Sequence, residues 1–280
     1  MIASRSEIDR AAVASHYDEL DQFYREVWGE HVHHGLWLRG DETRERAVEQ
    51  LAELVITRAK AGPGVHVCDI GCGYGASARL IAARGAAVTA VTISPAQFAI
   101  ARERQPGNSN PRFVFGDWLE NDLPAESFDV AIAIESSEHM PDFDRFFWQA
   151  HRVLRRDGRL VICAWLSADA PGGAAQRWLL EPICREGRMP QMGTVMDYQT
   201  CGEKTGFRLV TFEDITHNVR RTWPAIVRRL LAKLASDPRY VRFLVSQHAH
   251  NRVFALTILR IWIAYRIGAM RYGVFTFAKL

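Results

Sequence analysis

The residues best suited to hold a charged small molecule lie in one run, Val67-Cys68-Asp69-Ile70-Gly71-Cys72-Gly73-Tyr74-Gly75-Ala76. Glycines permit positive φ and let the backbone approach a ligand closely. The spacing Gly71-x-Gly73-x-x-Ala76 fits a dinucleotide fingerprint. Three residues favour a different ligand. Asp69, two positions before the first glycine, can take the charged amine of an amino acid but would repel phosphates placed over a helix N-terminus. The position about twenty residues on, where a dinucleotide site carries a ribose-binding acid, is Thr92 in Val91-Thr92-Ile93-Ser94-Pro95-Ala96-Gln97. Further on, Gly116-Asp117-Trp118 offers an acid for an adenine amino group and a ring to pack on its face. An NAD-dependent oxidoreductase remains the alternative reading of the turn.

A second group is Glu135-Ser136-Ser137-Glu138-His139-Met140, directly after a strand-like run. His139 is the first candidate for a base or substrate-orienting group, since imidazole titrates near neutrality. Glu135 and Glu138 are further candidates, as a base or as carboxylates that steady a cation. His31, His33 and His34 suggest a metal, but they lack a fourth ligand and helical i, i+4 spacing. No metal is expected.

These stretches, with the closing Arg152-Val-Leu-Arg-Arg-Asp-Gly-Arg-Leu-Val-Ile-Cys-Ala-Trp165, resemble the successive motifs of class I S-adenosylmethionine-dependent methyltransferases. Together with Trp28-Gly-Glu-His-Val-His-His-Gly-Leu-Trp37 they most resemble the γ-tocopherol methyltransferase-like branch, which is similar to cyclopropane fatty acid synthases and includes terpenoid and other small-molecule enzymes. The resemblance covers roughly residues 15–165 and the final strand. It implies that Asp69, Gly71, Cys72, Gly73 and Gly75 line the methionine end of the cofactor. Thr92, Ser94 and Gln97 would contact the ribose region, and Asp117 and Trp118 would hold the adenine. The 28–37 loop would close over the cofactor, with His33 or His34 near the methionine or the substrate. Thr92 departs from the broader class, which has a ribose carboxylate there. Enzymes that methylate exocyclic amino groups of bases carry an Asn/Asp-Pro-Pro-aromatic motif where this chain has Ile134-Glu135-Ser136-Ser137, so no nucleic-acid substrate is expected.

The elements that must position these residues follow from periodicity. Short β-rich runs at Val65–Ile70, Ala87–Thr92, Arg112–Phe115, Phe128–Ile134 and Arg159–Trp165 alternate with helical patterns at Ala76–Ala83, Pro95–Gln105 and Phe143–Leu154. Such alternation implies βαβ units and a parallel sheet. Arg208–Ile215 and Tyr272–Ala278 read as later strands, and Trp223–Leu234 and Arg239–Ile267 as helices. The expected fold is α/β: a seven-stranded, doubly wound, mostly parallel, Rossmann-like sheet with N-terminal helices and a C-terminal helical cap. Residues 1–60 would form the N-terminal helical segment and closing loop, built around Ala11, Ala12, Leu20 and Phe23 and then Thr43–Ala59. Residues 61–166 would form the S-adenosylmethionine-binding core. Residues 167–280 would hold the cap and final strands of the same domain, with an irregular lid at 168–195 suggested by its prolines and glycines.

Composition sets the outer limits. The 280 residues are 48% hydrophobic and 24% charged, which excludes a largely disordered chain. Five cysteines without a CxxC pair argue for free thiols in a reducing cytoplasm. No stretch of about 18 uncharged apolar residues is present, so no membrane-spanning helix is expected. The net charge of +3 hides an asymmetry: residues 217–280 hold twelve Lys or Arg against Asp237 alone, +11 there and −8 elsewhere. That tail suggests peripheral contact with an anionic membrane or an anionic substrate. The expected activity is methyl transfer to a small, largely apolar acceptor, phenolic, quinol-like or isoprenoid. The alternatives are C-methylation of a prenyl diphosphate or terpenoid and a non-catalytic cofactor-binding protein.

Overall fold

The computed structural model describes residues 1–5, 8, 13, 15, 19, 24–105, 110–245 and 254–280. Its centre is a seven-stranded sheet of β1 (His66–Ile70), β2 (Ala87–Thr92), β3 (Arg112–Phe115), β4 (Phe128–Ile134), β5 (Leu154–Ser167), β6 (Phe207–Asp214) and β7 (Met270–Lys279), in the order β3-β2-β1-β4-β5-β7-β6. β1 to β5 run parallel, and β7 runs antiparallel to both β5 and β6. The order reverses between β1 and β4. In an open parallel sheet the ligand crevice forms at that switch, beyond the carboxyl ends of the strands. The sequences of β1 and β4 are nearly continuous apolar runs because both faces are covered.

One face packs against α1 (Arg44–Ala59) and α2 (Ala76–Ala83); it joins Leu51, Val55, Ala78 and Ile81 to Val67, Val130 and Val161. Thr43 caps α1 by accepting from Arg46 N–H, and Ala47, Val48, Leu51, Ala52, Val55, Ile56 and Ala59 form its buried face. The other face packs against α4 (Phe143–Val153), where Phe146 and Phe147 meet Phe207, Phe275 and Phe277. α3 (Pro95–Glu103) connects β2 to β3. The cap comprises α7 (Thr222–Ser236), α8 (Pro238–Val245) and α9 (Phe254–Arg266).

The structure differs from the sequence reading in two places. The stretch expected to be an irregular lid is mostly helical, with turns at Gly173–Ala175 and Gln176–Leu180 running into α5 (Glu181–Glu186). Pro182 sits in the first turn of α5. The strand Gln191–Met192 then pairs with Ile2–Ala3. α6 (Val195–Lys204) had no counterpart in the sequence reading, although its Thr194/Asp197 capping box is a readable signal. Of the helical pattern expected over Arg239–Ile267, α8 and α9 are helical, and residues 246–253 lie outside the described residues. The helical positions expected at Ala11, Ala12, Leu20 and Phe23 also lie outside them. All five cysteines are free.

Gly75 belongs to this framework. It enters α2 at φ +76°, and a Cβ there would stand 2.4 Å from the Phe113 ring. Gly75→Ala is expected to destabilise the fold by about 2–4 kcal/mol, from left-handed strain plus overpacking. Urea denaturation measures this, and an unchanged midpoint would refute the packing assigned to Gly75.

Candidate active site

The carboxyl ends of β1, β2 and β4 surround a crevice of about 1040 Å³, open to solvent. Asp69, Gly71, Cys72, Gly73, Thr92, Gln97, Asp117, Trp118 and His33 all line it. The sheet thus brings together four separate stretches of sequence. Gly71 adopts φ +76°, and a Cβ on it would lie 2.4 Å from Ser136 Cβ, so only glycine lets the β1 turn pass the end of β4. Ser136 Oγ donates to Ile70 O at 2.5 Å and ties the two strand ends together. Thr92 Oγ1 donates to Gln97 Oε1 at 3.1 Å.

Two of the expected contact residues are not among those lining the crevice. Ser94 is fully buried and caps α3 by accepting from Gln97 N–H at 3.2 Å; it lies beneath the crevice wall instead of lining it. Gly75 is likewise absent from the lining, for the packing reason given above. Asp117 accepts from Leu119 N–H at 2.9 Å, and Trp118 donates its indole N–H to Phe146 O at 3.3 Å. Both are therefore held by the fold while facing the crevice.

Asp69 shows what the crevice fits. It is 2% exposed, and its Oδ2 has no hydrogen-bond partner. Burial pushes its carboxyl up to about 7. A buried carboxylate oxygen left without a donor is costly, and an ammonium group placed in the crevice would supply the missing charge and donors. This orphaned oxygen, together with Asp117 and Trp118 at a second end, suits an adenosyl amino acid. Asp69, Gly71, Cys72 and Gly73 would hold its methionine end, Thr92 and Gln97 its ribose, and Asp117 and Trp118 its base. The 29–37 loop brings His31, Val32 and His33 to the same crevice.

A second pocket, also open to solvent and of about 630 Å³ with that open space included, lies beyond the first, and Val32, His33, Glu135 and His139 line both. Its other walls are largely apolar: Trp28, Trp165, Trp223, Ile183, Met189 and Ile261. Among these, Ile183 and Met189 come from the stretch read as an irregular lid, and no local motif marks them. Their role is visible only because α5 folds over the end of the sheet.

The three acids and bases of the strand-end motif have different environments. Glu135, at φ +51°, accepts four hydrogen bonds: from His34 N–H (2.7 Å), His34 Nδ1 (3.0 Å), Tyr272 OH (2.7 Å) and Trp165 Nε1 (2.6 Å). Burial works to raise its carboxyl, but the His34 ring and backbone N–H, with His33 nearby, hold it down at about 2. A saturated, permanently charged carboxylate is a poor base, so Glu135 is better suited to positioning the loop. The Trp223 indole, which can only donate, gives its N–H to His34 Nε2 at 2.9 Å. His34 is thereby the Nδ1–H tautomer. Glu138 is 1% exposed and accepts from Trp165 N–H at 2.6 Å and Ser137 Oγ at 3.1 Å. Burial raises it to about 8, so it is mostly a neutral acid at pH 7. His139 Nδ1 lies 3.1 Å from Arg188 O. A carbonyl can only accept, so Nδ1 carries the proton and Nε2 is the basic nitrogen. Burial lowers the His139 pKa and favours this neutral form.

Three outcomes test the site. An Asp69 carboxylate that pairs with the cofactor's ammonium must be ionised, so affinity for S-adenosylhomocysteine should fall about tenfold per pH unit below pH 7; calorimetry that finds no such fall from pH 8 to pH 6 would contradict that role. In the unliganded chain the raised pKa stabilises the protonated form. That contribution is full below the ordinary value of 3.8 and is lost as pH rises through about 7. Asp69→Asn should accordingly stabilise the unliganded protein by about 1–3 kcal/mol at pH 8 and not at pH 4, while weakening cofactor binding roughly 10–100-fold. Glu135→Ala strands the His34, Trp165 and Tyr272 donors and should cost about 3–5 kcal/mol in thermal or urea melts; a loss below 1 kcal/mol would show that the loop is held by other contacts.

Comparisons with known proteins agree with this geometry. Residues 4–251 match the family described as mycolic acid cyclopropane synthetase. The chain is 32% identical to 27-O-demethylrifamycin SV methyltransferase of Amycolatopsis mediterranei (strain S699), over 76% of this chain and 79% of that protein. It is 27% identical to the chloroplastic tocopherol O-methyltransferase of Arabidopsis thaliana, over 99% of this chain and 84% of that one. Among solved structures, a cyclopropane synthase from Mycobacterium tuberculosis superposes with a TM-score of 0.83 at 23% identity, covering 96% of this chain and 98% of its own, which shows the shared fold. The chain therefore belongs to the mycolic acid cyclopropane synthetase family, as an S-adenosylmethionine-dependent methyltransferase.

Proposed function

We propose that the acceptor is a small, largely apolar and uncharged molecule with an acidic hydroxyl, of phenolic or quinol type, with an uncharged isoprenoid next in rank. The carrying observation is the second cavity, apolar over most of its wall and joined to the cofactor crevice at His139. Small-molecule sites combine such walls with a few placed polar groups. No Lys or Arg lines either cavity among the described residues, which disfavours a diphosphate acceptor. The names of two relatives, a tocopherol O-methyltransferase and a 2-methyl-6-phytyl-1,4-hydroquinone methyltransferase, support the same class.

The cofactor supplies a methyl group already activated on a sulfonium. The protein's part is placement and exclusion of water. His139 Nε2 is placed at the junction to take the acceptor's hydroxyl proton, and S-adenosylmethionine, when bound, would supply the methyl group that replaces it. Neutral Glu138 offers a hydrogen-bond donor to the acceptor, and the aromatic walls keep the reacting atoms dry. A second reading rests on the charged Glu135 among aromatic rings. That setting could steady a cation formed by methylation of an uncharged isoprenoid alkene. The free cysteines fit a reducing, cytoplasmic setting.

Transfer of labelled methyl groups should be detected with phenols or quinols and not with prenyl diphosphates; turnover of diphosphates alone would overturn the proposal. His139→Ala should lower kcat by about 10²–10³ while leaving the affinity for S-adenosylhomocysteine within about threefold. Equal loss of both would make His139 a cofactor contact only. Retained turnover in His139→Ala, coupled with a severe loss in Glu135→Gln, would favour the cation reading.

A further inference from the structure

Helix α9 is apolar on two opposite sides. Its inner side, through Thr257 and Ile261, lines the second cavity. Its outer side carries Leu256 and Leu259, 47% and 46% exposed, one helical turn apart, and Ile267 just past its end is 61% exposed. A helix on the surface of a globular protein normally pairs one apolar stripe with a polar face; here the second stripe has no protein partner among the described residues. Residues Gln176–Leu180 pack beside α9 and add Trp178, the most exposed of these side chains at 64%. Charge selects the occupant. Neither Gln176–Leu180 nor Phe254–Arg266 contains an acid. Arg177 stacks over Trp178 and Arg266 over Trp262, each at 5.0 Å, and neither arginine has a carboxylate partner among the described residues.

We propose that this outer face of α9, with Trp178, docks on the surface of a bilayer containing anionic lipids. The leucines and the indole would enter the boundary between headgroups and acyl chains, and Arg177 and Arg266 would meet lipid phosphates, as in other interfacial amphipathic helices. The docked face is the back of the helix whose front lines the second cavity, so an apolar molecule dissolved in the membrane would lie one helix thickness from that cavity. The inference stands on the surface of the cap and not on the acceptor's identity.

The full-length chain is sedimented with vesicles of phosphatidylcholine alone and with vesicles containing phosphatidylglycerol, with no acceptor present. Binding is expected to the anionic vesicles, with at least a tenfold weaker partition for Leu256→Asp/Leu259→Asp. Both positions are exposed, and unchanged affinity for S-adenosylhomocysteine confirms that the variant is folded. Failure of the native chain to sediment with anionic vesicles would overturn the proposal. Undiminished sedimentation of the double variant would overturn it too, since charge elsewhere would then carry the binding. A dimer that dissociates on the same substitution, without vesicle binding, would assign the face to a second copy. Because no acceptor is present, these outcomes are independent of the methyl-transfer screen.

Discussion

A carboxylate removed from water must be given back its hydrogen bonds, and Glu135 receives four. The donors come from the loop before α1, from β5 and from β7. Satisfying this one charge therefore fixes where the loop crosses the end of the sheet. With the loop in place, His33 stands at the junction of the two cavities and Trp223 is drawn onto His34. The left-handed backbone at Glu135, with its N–H held by Cys163 O at 2.9 Å, is the local strain that turns the carboxylate back over β4.

The remaining chemistry follows from giving similar groups different surroundings. Glu135 is held near 2 by surrounding donors, Asp69 rises to about 7 through burial, and Glu138 rises to about 8 in a pocket with few donors. Environments that push titratable groups apart are a general means of separating structural, binding and acid–base roles. One carboxylate organises the loop, one is buried with an oxygen left without a hydrogen-bond partner, and one is mostly neutral at pH 7. His139, whose Nδ1 is held at Arg188 O and whose pKa burial lowers, complements them at the junction.

The cap adds a layer that the core cannot supply. Ile183, Met189, Trp223 and Ile261 come from elements distant in sequence, yet they enclose one volume. Because α9 serves as wall on one side and surface on the other, substitutions there are constrained by both the cavity and the exterior.

Much of the core was legible in the chain. The alternation of strand and helix from Val65 to Trp165 sets a parallel sheet, and the Asp69/Gly71/Gly73 spacing marks the turn that borders the crevice, because periodicity and backbone freedom are local properties. The roles of Gly75 and Ser94 were not legible. Whether a glycine faces a ligand or a phenylalanine, and whether a serine faces a ribose or caps a helix, depends on neighbours supplied by other strands. The helical character of residues 173–186 was hidden by prolines and glycines that stand at helix ends as readily as in loops. The acid–base assignments are tertiary for the same reason: residue type places a carboxyl on the chain, and only the packed fold decides how many donors reach it and how much water remains.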